Sequence, residues 1–539
     1  MRYVLLSLLL FAAQLSTAQT YDRQDSLRGT ITPERVWWDL TYYHLTVEVL
    51  PERKSLVGSN LIQYEVLEPH QVIQVDLQPP LKITQVTQDG KVLDFKSEGN
   101  AHFISLQKEQ KKGATESIVV TYSGQPREAV HAPWDGGISW KKDEKGKHFI
   151  ASSCQGLGAS VWWPCKDHMY DEVDSMLISV EVPKGLIDVS NGRLVKTEEN
   201  KKKKTKTYHW AVSNPINNYG VNINIGNYTH WHETYAGEKG TLDIDNWVLR
   251  YNEKKARAQF KENHRMLEAF EHWFGPYPFY EDGFKLVEAP YLGMEHQSSV
   301  TYGNKFANGY LGRDLSGTGW GLKFDFIIIH ESGHEWFANN ITHRDAADMW
   351  IHESFTAYSE GVFVEYFYGT DAGREYIRGT RANIQNQYPV IGDYGINAEH
   401  HDSDVYYKGS NMLNTLRSWI NDDDKWREIL RGLGEEFYHQ TVTSQQIEDY
   451  ISQHAGLNLE AFFDQYLRDI RVPTLEYFAK DESLFYRWTN TIDTFDMPVQ
   501  VTIDGQPQSL SPQQGKWQEV SGHSLSPDSN YYISVMKIK

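Results

Sequence analysis

Two histidines four residues apart, placed at the end of an unbroken apolar run, constrain this chain more than any other feature. The run is Phe326-Ile327-Ile328-Ile329, and it leads directly into His330-Glu331-Ser332-Gly333-His334. On a helix of 3.6 residues per turn, positions four apart lie one turn apart and about 40° apart in azimuth. Both imidazoles then leave one face and can share a metal ion, while the apolar residues pack behind them. Glu331 follows the first histidine, where its carboxylate reaches a water at the metal without becoming a ligand.

A chain with 21 histidines can carry this spacing by chance. The third ligand shifts the balance. Glu353 follows His334 by nineteen positions, inside Trp350-Ile351-His352-Glu353-Ser354-Phe355, on the next segment with helical periodicity. A helix, a connection and a second helix can return that carboxylate to the two imidazoles. Two imidazoles, one carboxylate and one open position form the donor set of a catalytic zinc, one ion per chain. The alternative with a third histidine fails, because Phe337 and Asn340 stand where it needs Gly and His.

The segments His330 to Asn339 and Trp350 to Phe355 resemble the core of the M1 family of zinc aminopeptidases, and three further motifs agree in order. Gly293-Met294-Glu295-His296 resembles the family's Gly-x-Met-Glu-Asn. Val405-Tyr406-Tyr407-Lys408-Gly409 resembles its Tyr-x-Lys-Gly. Cys154-Gln155, with Pro164-Cys165-Lys166-Asp167 after it, resembles the segment of the β domain nearest the substrate. The resemblance runs from about Tyr42 to Leu467. It implies an α+β multidomain fold, with a saddle-like all-β N-terminal domain and a thermolysin-like, mainly helical catalytic domain. It also implies Zn2+ held by His330, His334 and Glu353, Glu331 as general base and acid, and Tyr406 as donor to the oxyanion. Glu295 and Gln155 would bind the free α-amine of a peptide, with Gly293 and Met294 contacting the peptide through their own backbone. A buried charge such as that ammonium needs a carboxylate partner, which gives Glu295 a physical reason of its own.

Several residues depart from the family pattern. His296 replaces Asn, Ala338 replaces Gly, and His352 and Ser354 replace Asn and Gly around Glu353. Each bears on the shape of the amine pocket, and His352 reads as a supporting residue, not a ligand. Glu360 and Asn339 are candidate partners of the ligands. An endopeptidase would share His330, His334, Glu331 and Glu353 but would not need Glu295. A non-catalytic peptide-binding protein would need neither Glu331 nor Tyr406.

Patterning elsewhere gives the organisation. From Tyr42 to Trp231 short alternating segments predict strands, and Lys201 to Lys204 read as an exposed hairpin tip. Helical periodicity covers Lys254–Phe274, Phe324–Asn339, Asp348–Tyr368, Lys408–Ile420, Trp426–Phe437, a stretch after Thr443, and Leu459–Arg468. Strand-like pieces return after Pro473. The expected divisions are a signal peptide over 1–18, an N-terminal β domain over 19–245, the catalytic domain over 246–473 and a small C-terminal β domain over 474–539. Larger family members carry a long helical C-terminal domain, so strands at this position predict a more open cleft. Arg2, the apolar run to Ala13 and the small residues up to Ala18 predict export and a soluble mature chain, not a membrane anchor. A net charge of −19 argues against nucleic acid and anionic membranes as partners; the family resemblance implies peptides with a free N-terminus. Cys154 and Cys165 can pair or remain thiols, and oligomeric state is not legible.

Overall fold

The computed structural model describes residues 21–396 and 402–539. The predicted signal segment therefore lies outside the described residues. No helix among those described is long and apolar enough to cross a membrane.

The N-terminal region is built on an eight-stranded sheet whose long central strand, Trp38–Leu50, pairs antiparallel with Ser55–Val66 and parallel with Ser175–Pro183. Its buried residues show how sequence sets register. Trp38 and Leu40 face the core, and so do Tyr43, Leu45, Val47 and Val49, which are of opposite parity. A register shift between Leu40 and Tyr42 reconciles the two sets. One extra residue in the strand keeps both apolar groups on the same face. Two smaller sheets complete this region, one of them holding the hairpin Gly137–Lys142 and His148–Ser153. Lys201 to Lys204 form the exposed tip between Arg193–Asn200 and Thr205–Val212. Cys154 and Cys165 are both buried and unpaired.

The expected boundary at 245/246 is corrected, because it falls inside the strand Gly240–Leu249. That strand pairs with Tyr228–Gly237 on one side and runs parallel to Phe284–Glu288 on the other. The five-stranded sheet so formed continues through Val300–Tyr302 and ends on the short edge strand Gly293–Met294. Trp231, Leu242, Ile244 and Val248 join the core of the helical region. Strand character alone could not distinguish the last strands of one domain from the first two of the next.

Helices cover this sheet. The segment read as one helix over Lys254–Phe274 is two, Glu253–Gln259 and Glu262–Phe274, and Thr370–Gly379 is a helix the periodicity did not reveal. The helix expected to reach Asn339 stops at Gly333, with His334 as its cap. The C-terminal strands form a four-stranded and a three-stranded sheet. Their apolar residues, Trp488 and Val501 among them, are continuous with the core of the helical region.

Candidate metal centre

The helix Phe326–Gly333 begins at Asp325, whose carboxylate accepts from the backbone N–H groups of Ile327 and Ile328 at 3.2 and 3.4 Å. Tyr302 and Asn304 also donate to Asp325, at 2.7 Å each, so the helix start is fixed to the sheet beneath it. Termination at Gly333 is equally useful. The chain turns after His334 and brings the Phe337 carbonyl to His334 Nδ1 at 3.0 Å. Ala338, within this turn, has φ +151°, a conformation that favours glycine.

Opposite lies the helix Trp350–Tyr368, buried from its first residue through Val364. Glu353, Thr356 and Glu360 lie on one face of it, three and four residues apart. Glu353 Oε2 stands 3.3 Å from His334 Nε2 and 3.6 Å from His330 Nε2. A tetrahedral ion with bonds of 2.0–2.2 Å holds its ligand atoms about 3.4 Å apart, so this spacing fits zinc. Glu353 Oε2 is buried without a hydrogen-bond donor, as expected of an oxygen reserved for a cation. The remaining ring nitrogens are occupied: His330 Nδ1 by Glu360 at 2.7 Å, and His334 Nδ1 also by Thr356 Oγ1 at 3.1 Å. With Nδ1–H engaged, each Nε2 presents its lone pair to the ion. Tyr376 donates to the second oxygen of Glu360 at 2.6 Å. Glu360 was anticipated from its position. Thr356 was missed by the sequence reading, where its helical spacing to Glu353 was the one available signal, and Tyr376 gave no signal in the sequence.

Glu295 follows the edge strand Gly293–Met294 and is 2% exposed. Gln155 comes from the N-terminal region, and its amide donates to Glu295 at 2.9 Å and to Glu353 Oε1 at 3.2 Å. Asn339 donates to the Glu295 carbonyl at 2.9 Å, and Glu335 accepts from the Ser298 N–H at 2.8 Å. The turn after His334 thus ties the Glu295 loop to the metal ligands; Glu335 had no role in the sequence reading. Gly293 is required by close approach, since a Cβ there would lie 2.7 Å from Glu331 Oε1. All the residues predicted for the site are thereby brought together around one cleft of about 380 Å³.

Burial pushes the Glu331 carboxyl up to about 7 and raises Glu295 as well. Burial works against a charged His330, but Glu353 and Glu360 outweigh it and hold the imidazole well above its usual pKa in the absence of an ion. Tyr406 opens onto the cleft, with its ring centroid 5.9 Å from that of His330. Burial of its hydroxyl, with Glu353 and Glu295 nearby, keeps its pKa well above the tyrosine value, so it remains a donor. Its position follows from helix packing. Gly409, three residues on, lies where a Cβ would meet Ser354 Oγ at 1.7 Å, so only glycine allows this approach. Ser354 donates to the Val405 carbonyl at 2.6 Å, and Lys408 to the Asp469 carbonyl at 2.8 Å.

Of the departures, His352 is structural: its Nε2 accepts from the His343 N–H at 2.8 Å and the two rings stack. His296 is fully buried, and burial lowers its pKa to about 3.

The profile of the peptidase family M1 domain matches residues 258–466, and that of the peptidase M1 N-terminal domain matches residues 40–219. The chain belongs to peptidase family M1. Aminopeptidase B of Mus musculus is 22% identical over 374 residues, covering 66% of this M1 chain and 52% of its own length. Aminopeptidase N of Lactobacillus delbrueckii subsp. lactis is 21% identical over 469 residues, covering 82% of this chain and 52% of its own length. The chain thus spans about half the length of these curated relatives. A solved structure of a mutant M1 zinc metallopeptidase from Deinococcus radiodurans has the same fold, with a TM-score of 0.68 at 19% identity, covering 80% of this chain and 95% of that one.

Proposed function

We propose that this M1 chain is an exported, zinc-dependent aminopeptidase that removes the first residue of peptides. The observation that carries the reading is a charge imbalance. Glu295, Glu331, Glu353 and Glu360 are all less than a tenth exposed and converge on one cleft with only two imidazoles among them. Buried carboxylates at this density are costly without cations. The geometry offers two cation positions, one among His330, His334 and Glu353 and one beside Glu295. A divalent metal suits the first and a peptide ammonium the second.

Zinc held by His330, His334 and Glu353 would polarise the scissile carbonyl and acidify the attacking water. Glu331, poised near neutrality by burial, takes the proton from that water and passes it to the departing amine. Tyr406 donates its hydroxyl hydrogen to the oxygen on which negative charge develops, a bond strongest at the transition state. Glu295 receives the ammonium, which in turn favours its ionised form. The Gln155 amide holds the Glu295 and Glu353 carboxylates in register, and its carbonyl oxygen supplies a second acceptor for the amine.

The test is hydrolysis of an aminoacyl anilide panel, free and N-acetylated, by wild type and Glu331→Gln, with and without chelator. Turnover of free-amine substrates alone, lost in the variant and on chelation, is expected. Cleavage of acetylated substrates would move the reading to an endopeptidase, and silence with zinc present to a binding protein.

A further inference from the structure

One apolar side chain in the wall of the cleft has no place in either core. Leu292, Tyr310, Leu315, Phe326 and Tyr406 line the cleft, and each belongs to the core of the helical region or packs against it. Trp134 lines the same cleft from the N-terminal region, yet it joins neither core and is 59% exposed. Among the described residues its ring meets no other aromatic ring and no cation, and its indole N–H meets no acceptor. An exposed indole in a cleft offers a large apolar face that a bound molecule can cover, and its few rotatable bonds keep the entropic cost low.

The loop that presents Trp134 is closely held. At its base the Ala129 N–H donates to the Ile138 carbonyl at 3.1 Å, and the Ile138 N–H to the Arg127 carbonyl at 2.8 Å. Within it, Asp135 accepts from the Val130 N–H at 2.6 Å, and the Trp134 N–H donates to the His131 carbonyl at 3.1 Å. Gly136 lies directly against Leu157, since a Cβ there would stand 2.9 Å from Leu157 Cδ1. Leu157 is part of the tight turn that follows Gln155: its N–H donates to the Gln155 carbonyl at 2.8 Å, and the Gly158 N–H donates to the Cys154 carbonyl at 2.7 Å. One turn therefore carries Gln155 and supports the loop of Trp134.

The proposed roles say which part of a peptide this wall serves. The α-carbon of the first residue bears both the amine that meets Glu295 and Gln155 and the carbonyl that is attacked beside Glu331. The first side chain leaves that same carbon, next to Gln155. Residues beyond the scissile bond lead away from it. Pro133 and Trp134 are the apolar residues that the N-terminal region brings to the cleft beside Gln155.

We infer that Trp134 is a specificity-determining residue, whose indole covers the side chain of the substrate's first residue and favours large apolar side chains there. It rests on the aminopeptidase reading. The experiment compares Ala, Leu and Phe anilides in wild type, Trp134→Ala and Trp134→Phe at equal zinc content. Wild type should show kcat/KM for the Leu and Phe anilides about tenfold or more above that for the Ala anilide. Trp134→Ala should lower both ratios by about tenfold, chiefly through KM, and Trp134→Phe should keep most of the preference. A structural role alone would lower all three substrates alike. Equal losses on all three, or ratios unaltered in Trp134→Ala, would overturn the inference. So would a loss that appears with Phe as the second residue, in Ala-Phe against Ala-Ala, and not as the first. If the wild type leaves every anilide intact, the aminopeptidase reading fails instead. Calorimetric affinities of phenylalanine amide and alanine amide then decide the contact: tighter binding of the former that Trp134→Ala loses supports it, and equal binding refutes it.

Discussion

The wall of the cleft that carries His330, His334 and Glu353 is made within one hydrophobic core, whereas the wall that carries Glu295 and Gln155 rests on another. Ile327, Ile328, Ile329 and Phe355 pack in the core of the helical region, while Met294, Tyr291 and Cys154 pack in that of the N-terminal region. The ligand spacing is therefore fixed by two helices touching each other. The distance from the amine site to the metal site depends on how two cores dock, with Gln155, Asn339 and Glu335 as the ties across them. In the proposed aminopeptidase, hydrolysis and exopeptidase character are thus separable by mutation.

The largest effect should come from the group both walls serve. Glu331→Gln should lower kcat by about 10³-fold with metal content and thermal midpoint unchanged, read by kinetics, metal analysis and calorimetry. A variant that lost its metal as well would show that Glu331 belongs to the ligand set. On the amine wall, Glu295→Gln should lower kcat/KM on free-amine substrates by about a hundredfold while the ion stays bound. On the metal wall the pattern reverses. Glu360→Gln, which weakens the hold on His330 Nδ1, should loosen the ion by about 10- to 100-fold in a chelator competition and leave the preference for a free amine intact.

Packing gives smaller effects. Gly409→Ala should destabilise the chain by about 1–3 kcal/mol and lower kcat by displacing Tyr406, and Ser354→Gly should restore both. An unaltered melting curve for Gly409→Ala would show that the contact between the two helices is looser than its geometry implies. Ala338→Gly should raise stability by about 1 kcal/mol, because relief of the positive φ exceeds the added freedom of the unfolded chain, with little change in rate.

The same contrast explains what the sequence could disclose. The metal wall was legible because helical periodicity makes spacing a statement about geometry: His330 with His334, and Glu353 with Glu360, share faces at four- and seven-residue steps. The end of the first helix at Gly333 was not legible, since it depends on a turn whose strained residue, Ala338, is not one that signals a break. On the amine wall, Gln155 and Glu295 are 140 residues apart and meet only through tertiary docking. No local period could join them; family resemblance did. Likewise, the hairpin Tyr228–Leu249 reads as strand, but which sheet it joins is decided by its parallel partner, Phe284–Glu288.

The separability of the two walls is tested most directly by one ratio: kcat/KM for a free-amine peptide against its N-acetylated form, in wild type and in Glu295→Gln with equal zinc content. The account predicts a large ratio in the wild type that falls by about a hundredfold in the variant, through loss of the free-amine rate. A ratio that is the same in both proteins would contradict it and place recognition of the amine elsewhere in the cleft.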